Sequence, residues 1–397
     1  MMALPLQVAG DLTSNGLSYL DETFMAQNSV KKIVSRALST KSYISTGSSQ
    51  AEREQQQQDL PPELRNIRQI GEGQCGTVLA MTGTGFVLKL AKNNKRDALY
   101  NDVVSHLTVT EAFSRLPIEH RPDISVPRYG EYIHPSDELF WNLKIGNLPR
   151  GFTKTYALMT ERIFPIPAPV REALFDIYAP VQYRSPAEQA RQLTDAKNKD
   201  CLVRVYLGRR QKRHSASPNF KLRNFEMHVN EMEELSLDTT AFAQSMAQTL
   251  SILHWGAQLD ANDVEFVLGS APLVKVPPSA ADYKKRGPED AKYIGQNFNL
   301  HARAVGLWLL DFNECQAYPE NGEGLAQLVK GFWFNDPYYP RPFSDSAKDE
   351  QLWQVFRTAY LKTTEELYKN QLTRAEGFIK EVEEEGKRRA KSGSLFG

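Results

Sequence analysis

Apolar positions recur along this chain with two periods, and the switches between them mark out its elements. Ile67-Arg-Gln-Ile70 leads into Gly71-Glu-Gly-Gln-Cys-Gly-Thr-Val78, and Gly85-Phe-Val-Leu-Lys-Leu90 follows. That pattern predicts strand, glycine-rich turn and strand, then a strand carrying Lys89 between apolar neighbours. From 98 to 116 the spacing turns helical: Leu99, Val103 and Leu107 fall at i, i+4 and i+8, and Glu111 continues the stripe. Residues 126–133 and 156–163 read as further strands. The second runs into Pro165, Pro167 and Pro169, which stop it and suggest a connector between two lobes. Another strand is expected over 201–207. Asp238 then fits as N-cap of a helix with Phe242, Met246, Leu250 and Leu253 on one face, and Gly256 fits as its end.

Beyond that helix, Phe266-Val-Leu268 and the run 305–310 read as apolar strands, the latter ending on Asp311. Between them, 274–299 holds Pro, Lys and Gly without a period and reads as a long surface loop. Asn335-Asp-Pro-Tyr-Tyr-Pro-Arg-Pro342 reads as a rigid packed turn in preference to a pocket wall, and a helix is expected over 351–368. Both ends look different. Residues 1–60 are polar and include Gln55-Gln-Gln-Gln58, which predicts a disordered arm with at most a short helix near Lys31 to Leu38. Residues 376–397 form a charged tail, in which Glu381 to Lys391 read as a solvated, fraying helix. The expected division is therefore an arm (1–60), a β-rich lobe (61–165), a helical lobe (166–375) and the tail.

Composition narrows the partners. The 397 residues are 41% apolar and carry no formal net charge, so any contact with nucleic acid must come from a local patch. Cys75, Cys201 and Cys315 lie far apart with no CxxC pair, which argues against a zinc site or disulfide framework and for a reducing compartment. No run approaches the roughly 18 apolar residues of a membrane span. The stretch 30–49 is basic and acid-free like a presequence, but Asp11, Asp21 and Glu22 before it point to the cytoplasm as the expected location.

Candidate chemistry gathers in two places. Asp260-Ala-Asn-Asp-Val-Glu265 packs Asp260, Asp263 and Glu265 just after a helix, and Asp311-Phe-Asn-Glu314 follows an apolar strand. Acids at the ends of buried strands are costly unless paired, hydrated or on a metal. Lys89 on its strand needs an anion, and Glu111 on the helix is the expected one. Glycine-rich turn, strand lysine, helix acid, Asp260 with Glu265 five residues later, and Asp311-Phe312 come in protein-kinase order. The expected fold is thus α+β and bilobal, protein-kinase-like, with a β-rich N-lobe and helical C-lobe.

The departures weigh against protein phosphorylation. Gln258 stands two residues before Asp260, Glu265 replaces the metal-binding Asn, Asn313 replaces the DFG glycine, and no activation segment is recognisable. Glu265 and Asp311 would still suit Mg²⁺; otherwise no metal site is expected. Alternatively the packed acids raise one another's pKa and supply a general acid or base, with Asp263 the one best suited to a purely structural role. The segment 209–223, with Arg209, Arg210, Lys212 and Arg213 at its start and Phe220 and Phe225 alongside, is either a phosphate-binding patch or a solvated hairpin tip. His254 and Trp255 read as core.

At Leu222-Arg-Asn-Phe225, at residues 261–268, at Leu309-Leu-Asp-Phe-Asn313 and at residues 335–340 the chain resembles a fungal family long known only as a domain of unknown function. Some of its members are arginine-containing cyclodipeptide synthases. The similarity covers roughly residues 64–370. It implies a tRNA-dependent enzyme of secondary metabolism that joins arginine and a second amino acid, from two aminoacyl-tRNAs, into a diketopiperazine without a cofactor. Asp260 and Glu265 would be its acid/base and guanidinium-binding residues, with Asp263, Asp311 and Glu314 behind them, and the 209–223 segment would meet tRNA phosphates. Neither DNA nor a membrane is implied. The alternative is an ATP- and Mg²⁺-dependent phosphotransferase using Gly71, Gly73, Gly76, Lys89, Glu111, Asp260, Glu265 and Asp311; a third reading is a non-catalytic pseudokinase scaffold.

Overall fold

In a computed structural model, residues 18–40, 42–45, 49–60, 64–211, 220–274, 280–285, 288, 298–344 and 346–392 are described. The first strands, β1 (Ser18–Leu20) and β2 (Ser42–Ser45), belong to a sheet completed by residues far along the chain. Its other members are β8 (Val203–Tyr206), β9 (Phe225–His228), β10 (Glu265–Val274) and β11 (Phe298–Leu310), in the order β1-β2-β11-β10-β8-β9. The second sheet is antiparallel, with β3 (Ile67–Glu72), β4 (Gly76–Met81), β5 (Phe86–Ala91), β6 (Tyr129–Ile133) and β7 (Ala157–Glu161) in the order β3-β4-β5-β7-β6. The architecture is mixed α+β with a helical C-terminal part. None of its described helices is long and apolar enough to cross a membrane.

The central strands are buried for a reason visible in their composition. Phe266, Val267 and Leu268 are all inaccessible, as befits a strand covered on both faces. One large core runs from this sheet into the C-terminal helices, where Thr239–Ser251 and Ala347–Leu367 bury Phe242, Met246, Leu250, Phe356 and Tyr360. Asp238 caps the first of these, its carboxylate accepting the Ala241 N–H at 2.9 Å. A π-helical turn, Ile252–Gly256, ends it. A smaller core, built on Leu79, Leu88, Leu90 and Trp141, lies under the five-stranded sheet.

Both ends of the chain depart from expectation. Residues 18–60 are not a free arm over the described positions: Leu20, Ile33, Val34, Ala37, Leu38 and Ile44 enter the main core, and β2 pairs with β11. Helix Ser49–Asp59 buries Glu54 against the buried Arg162 of the connector, Oε2 to Nη1 at 3.1 Å. The polar composition hid this because the segment is stabilised by pairing with distant residues. At the other end the expected helix is present, as Leu372–Ser392, but it is docked on the core and not merely solvated. Ala375, Phe378, Ile379 and Val382 fall at i, i+3, i+4 and i+7 and are buried, so a narrow apolar stripe anchors a charged helix. Of the expected loop over 274–299, most lies outside the described residues, although β11 begins at Phe298 and Ala280–Lys285 is helical.

Candidate active site

The five-stranded sheet and the β8–β11 sheet face each other across a cavity of about 240 Å³. Gly71 and Gly73 of the glycine-rich hairpin line it, as do Lys89, Arg204, Glu265 and Asp311. The hairpin closes through a Gly73 N–H to Gly76 carbonyl bond of 2.9 Å. A Cβ at Gly76 would stand 2.7 Å from the Leu90 carbonyl oxygen, so only glycine lets β4 lie this close to β5.

Lys89 does find an anion, but not the expected one. Its Nζ lies 2.6 Å from Asp102 Oδ2 and 2.9 Å from Asp311 Oδ1. Glu111 instead faces solvent, paired with Arg115 at 3.1 Å. The error is one of phase. Each i+4 step over-rotates by roughly 40°, so three steps carry Glu111 about 120° away from Leu99. The buried face follows Leu99, Asp102, Val103, His106 and Val109. Asp102 also accepts the Phe312 N–H at 3.2 Å, tying the helix to the strand end that bears Asp311. Burial opposes the Lys89 charge, but Asp102 and Asp311 outweigh it and hold its pKa well above the usual lysine value.

Asp311 leaves β11 in the left-handed region, φ +67°, which turns its carboxylate toward Lys89. The loop before β10 is strained in the same sense, with Gln258 (+55°), Ala261 (+53°) and Asp263 (+61°) all at positive φ. Such conformations persist only where surroundings hold them. Asp260 supplies part of the hold: it is buried, and its Oδ1 accepts the N–H groups of Asn262 (3.2 Å) and Gln316 (2.9 Å) while Oδ2 accepts Gln327 Nε2 (2.8 Å). Both oxygens are thus engaged as a brace for the loop. Asn335 supplies the rest, accepting the Asp263 N–H at 2.6 Å and donating to the carbonyls of Ala261 and Val264, each at 3.2 Å. The 335–342 turn is therefore packed, with Tyr338 and Tyr339 buried.

The other acids divide by partner. Glu265 is paired with Arg204 of β8, its diagonal neighbour across the β10–β8 register. Burial raises the Glu265 pKa and the guanidinium only partly offsets it. Glu314 accepts a 3.3 Å bond from Asn313 Nδ2. Asp263 is the exception, since its half-buried carboxylate makes no hydrogen bond or ion pair among the described residues. Burial, then the charges of Asp311 and Glu314, push its pKa up. The sequence singled out Asp263 as the most structural acid; the structure gives that part to Asp260. No three His, Cys, Asp or Glu side chains among the described residues are grouped to hold a metal, and the two acids suited to Mg²⁺ sit on Lys89 and Arg204.

Of the basic segment, Arg209 is paired with Asp336 at 2.8 Å, and Arg210 with Glu233 (2.7 Å) and Asp349 (2.6 Å). Lys212 and Arg213 lie outside the described residues. Phe220 and Phe225 are core, as is His254, whose Nδ1 meets the Tyr360 hydroxyl at 2.8 Å and whose pKa burial lowers to about 3. Three site residues were missed. Asp102 could have been found as the carboxylate three positions after Leu99, and Arg204 as the charge inside the alternating Val203-Arg-Val-Tyr206 strand. Nothing local marks Asn335 as the support of Asp263.

No curated protein matches the chain. Residues 307–372 match the DUF3669 family model, described as "Zinc finger protein". That span carries β11 from Leu307, Asp311, Glu314 and the Asn335 turn. It contains one cysteine, Cys315, and no histidine, so it has no zinc-finger ligand set of its own. The matched segment carries Leu310, Asp311 and Phe312, which line the cavity, and Asn335, which accepts the Asp263 N–H.

Proposed function

We propose that this chain is a bilobal, kinase-like fold given over to aminoacyl transfer, a cytoplasmic synthase that joins arginine and a second amino acid from two aminoacyl-tRNAs into a diketopiperazine. One observation carries the reading: Asp263 is a half-buried carboxylate of raised pKa with neither a cation nor a hydrogen-bond donor on it among the described residues, two positions before the cavity-lining Glu265 and near enough to Asp311 to feel its charge, while Glu265 and Asp311 are themselves paired. A base poised nearer neutrality is what an ammonium nucleophile requires. The engagement of Asp311 by Lys89 and of Glu265 by Arg204 favours this reading over Mg²⁺-dependent phosphoryl transfer.

The chemistry then runs on esters that are already activated. Asp263 takes a proton from the α-ammonium of one aminoacyl group. The freed amine attacks the ester carbonyl of the other, a peptide bond forms, and the ribose oxygen leaves and is protonated. The amine of the second residue attacks the remaining ester in the same way, which closes the ring and releases the second tRNA. Glu265 binds the arginine side chain only by exchanging the guanidinium of Arg204 for that of the substrate. No cofactor enters.

The test is expression in a bacterial host followed by mass spectrometry for a cyclic dipeptide containing arginine. The product is expected from the wild type, and Asp263→Asn and Glu265→Gln are expected to abolish it. Folded wild type that makes no product, and whose Tm rises with Mg-ATP but not in Asp311→Asn, would overturn the synthase. It would favour the phosphotransferase, for which the Lys89–Asp102 pair beneath a glycine-rich hairpin argues. Nucleotide binding without turnover would identify a pseudokinase scaffold.

A further inference from the structure

A second concavity, a groove of about 870 Å³, lies between helices Gly322–Phe334 and Leu372–Ser392. Its charges come in triplets of two cations to one acid. Arg209 and Arg341 share Asp336 at 2.8 and 3.0 Å, and Arg388 and Arg389 share Glu385, both at 2.7 Å. Lys330 is exposed and makes no ion pair among the described residues. Arg341 is buried behind the wall; the four cations that line the groove, Arg209, Lys330, Arg388 and Arg389, stand against Asp336, Glu381 and Glu385, an excess of one positive charge.

Flat groups lie among the charges. The guanidiniums of Arg341 and Arg389 each sit 4.5 Å from the Trp333 ring, which is itself buried. The next residue, Phe334, is 58% exposed at the end of a helix whose other aromatics are buried. Cations that can neutralise phosphates and an open aromatic face are what a single-stranded nucleic acid recognises. An acidic peptide would use the charges but not the ring.

The groove is joined to the cavity twice. Asn335, between Phe334 and Asp336, is the residue that holds Asp263 by its N–H. Arg204 of β8 lines the cavity and Arg209, three residues past the end of that strand, lines the groove, so the chain between them spans at most about 17 Å. We infer that this groove docks the single-stranded end of an RNA and directs its terminus to Asp263. Its identification as aminoacyl-tRNA rests on the synthase reading above.

The test is equilibrium binding of deacylated tRNA to the full-length protein by fluorescence anisotropy across a salt series. The double variant Lys330→Glu, Arg388→Glu is compared with Phe334→Ala and the wild type, with circular dichroism to check folding. The double variant is expected to lose at least about tenfold in affinity and to flatten the log–log salt slope by about 2, one for each phosphate contact removed. Phe334→Ala is expected to weaken binding at least about fivefold while leaving the slope unchanged. Wild type that binds tRNA, with both variants binding equally well, would overturn the groove and leave the synthase standing. Wild type that neither binds tRNA nor makes product would overturn both. Polyglutamate bound as tightly as tRNA and lost in the same variants would assign the groove to an acidic protein and also overturn the proposal.

Discussion

Asp263 is held in a left-handed conformation by the Asn335 side chain, partly buried, and near two other acids. Burial and the two acids raise the cost of its charge, and the more distant Arg204 and Lys89 offset that only in part. The sign of the consequence follows from its raised pKa. A carboxyl that protonates more readily in the folded state than in the unfolded chain makes stability fall as pH rises through the interval between the two pKa values. The penalty is complete above the folded pKa and absent below the unfolded one. Asp263→Asn is therefore expected to stabilise the protein at neutral pH, by on the order of 1 kcal/mol or less because solvent screens a half-buried group. The gain should vanish as pH falls through the carboxylate range. Urea denaturation of wild type and variant at pH 7 and pH 4 measures both; equal stability at pH 7 would mean that the carboxylate is satisfied and not held in readiness.

At the scale of elements, helix Ser49–Asp59 acts as a clasp between the two sheets. Glu54 accepts both Arg162 Nη atoms of the connector (3.1 and 3.2 Å) and the Gly83 N–H of the β4–β5 turn at 3.1 Å. Gly83, at φ +72°, is pressed so close that a Cβ would meet Gln58 N at 2.4 Å. Arg162 is buried, so removing its counter-ion strands a charge in the core. Glu54→Gln is expected to cost about 3 kcal/mol, and adding Arg162→Met should recover most of it, since a pair removed together leaves no orphan. A single variant within about 0.5 kcal/mol of wild type by chemical denaturation would show that the clasp is decorative. The Arg96–Ser114 helix carries a different lesson. Its existence and extent were legible in its apolar spacing, but which acid met Lys89 depended on following the turn of the helix over eight to twelve residues, where a small angular error moves a side chain from core to solvent.

For the whole molecule, the C-terminal helix decides whether the large core is closed. Phe378, Ile379 and Val382 join the main core, where the Phe378 ring meets His254, Phe332 and Tyr360. Burying each contributes roughly 1.5–3 kcal/mol, so together they amount to a large share of the roughly 5–15 kcal/mol by which domains are stable. Truncation after Gln371 is expected to abolish cooperative thermal unfolding. A truncated chain with a sharp transition near the wild-type Tm would make the helix an appendage.

The same helix shows where reading from sequence ends. Strands β3 to β5 and β7, the glycine-rich turn, Lys89, the Asp238 cap and the acid clusters were determined locally, because period, turn chemistry and capping act over a few residues. So was the core character of His254, whose charge no apolar helix end would tolerate. What only the tertiary structure decided was partnership: Asp102 for Lys89, Arg204 for Glu265, Arg162 for Glu54, and Asp260 as brace with Asp263 left open. The physical reason is range. A carboxylate's role depends on which donors lie within about 3 Å, and in this chain those donors come from 13, 61, 108 and 56 residues away. Hydrophobic periodicity records which face of an element turns inward, but it holds no record of which charge waits there.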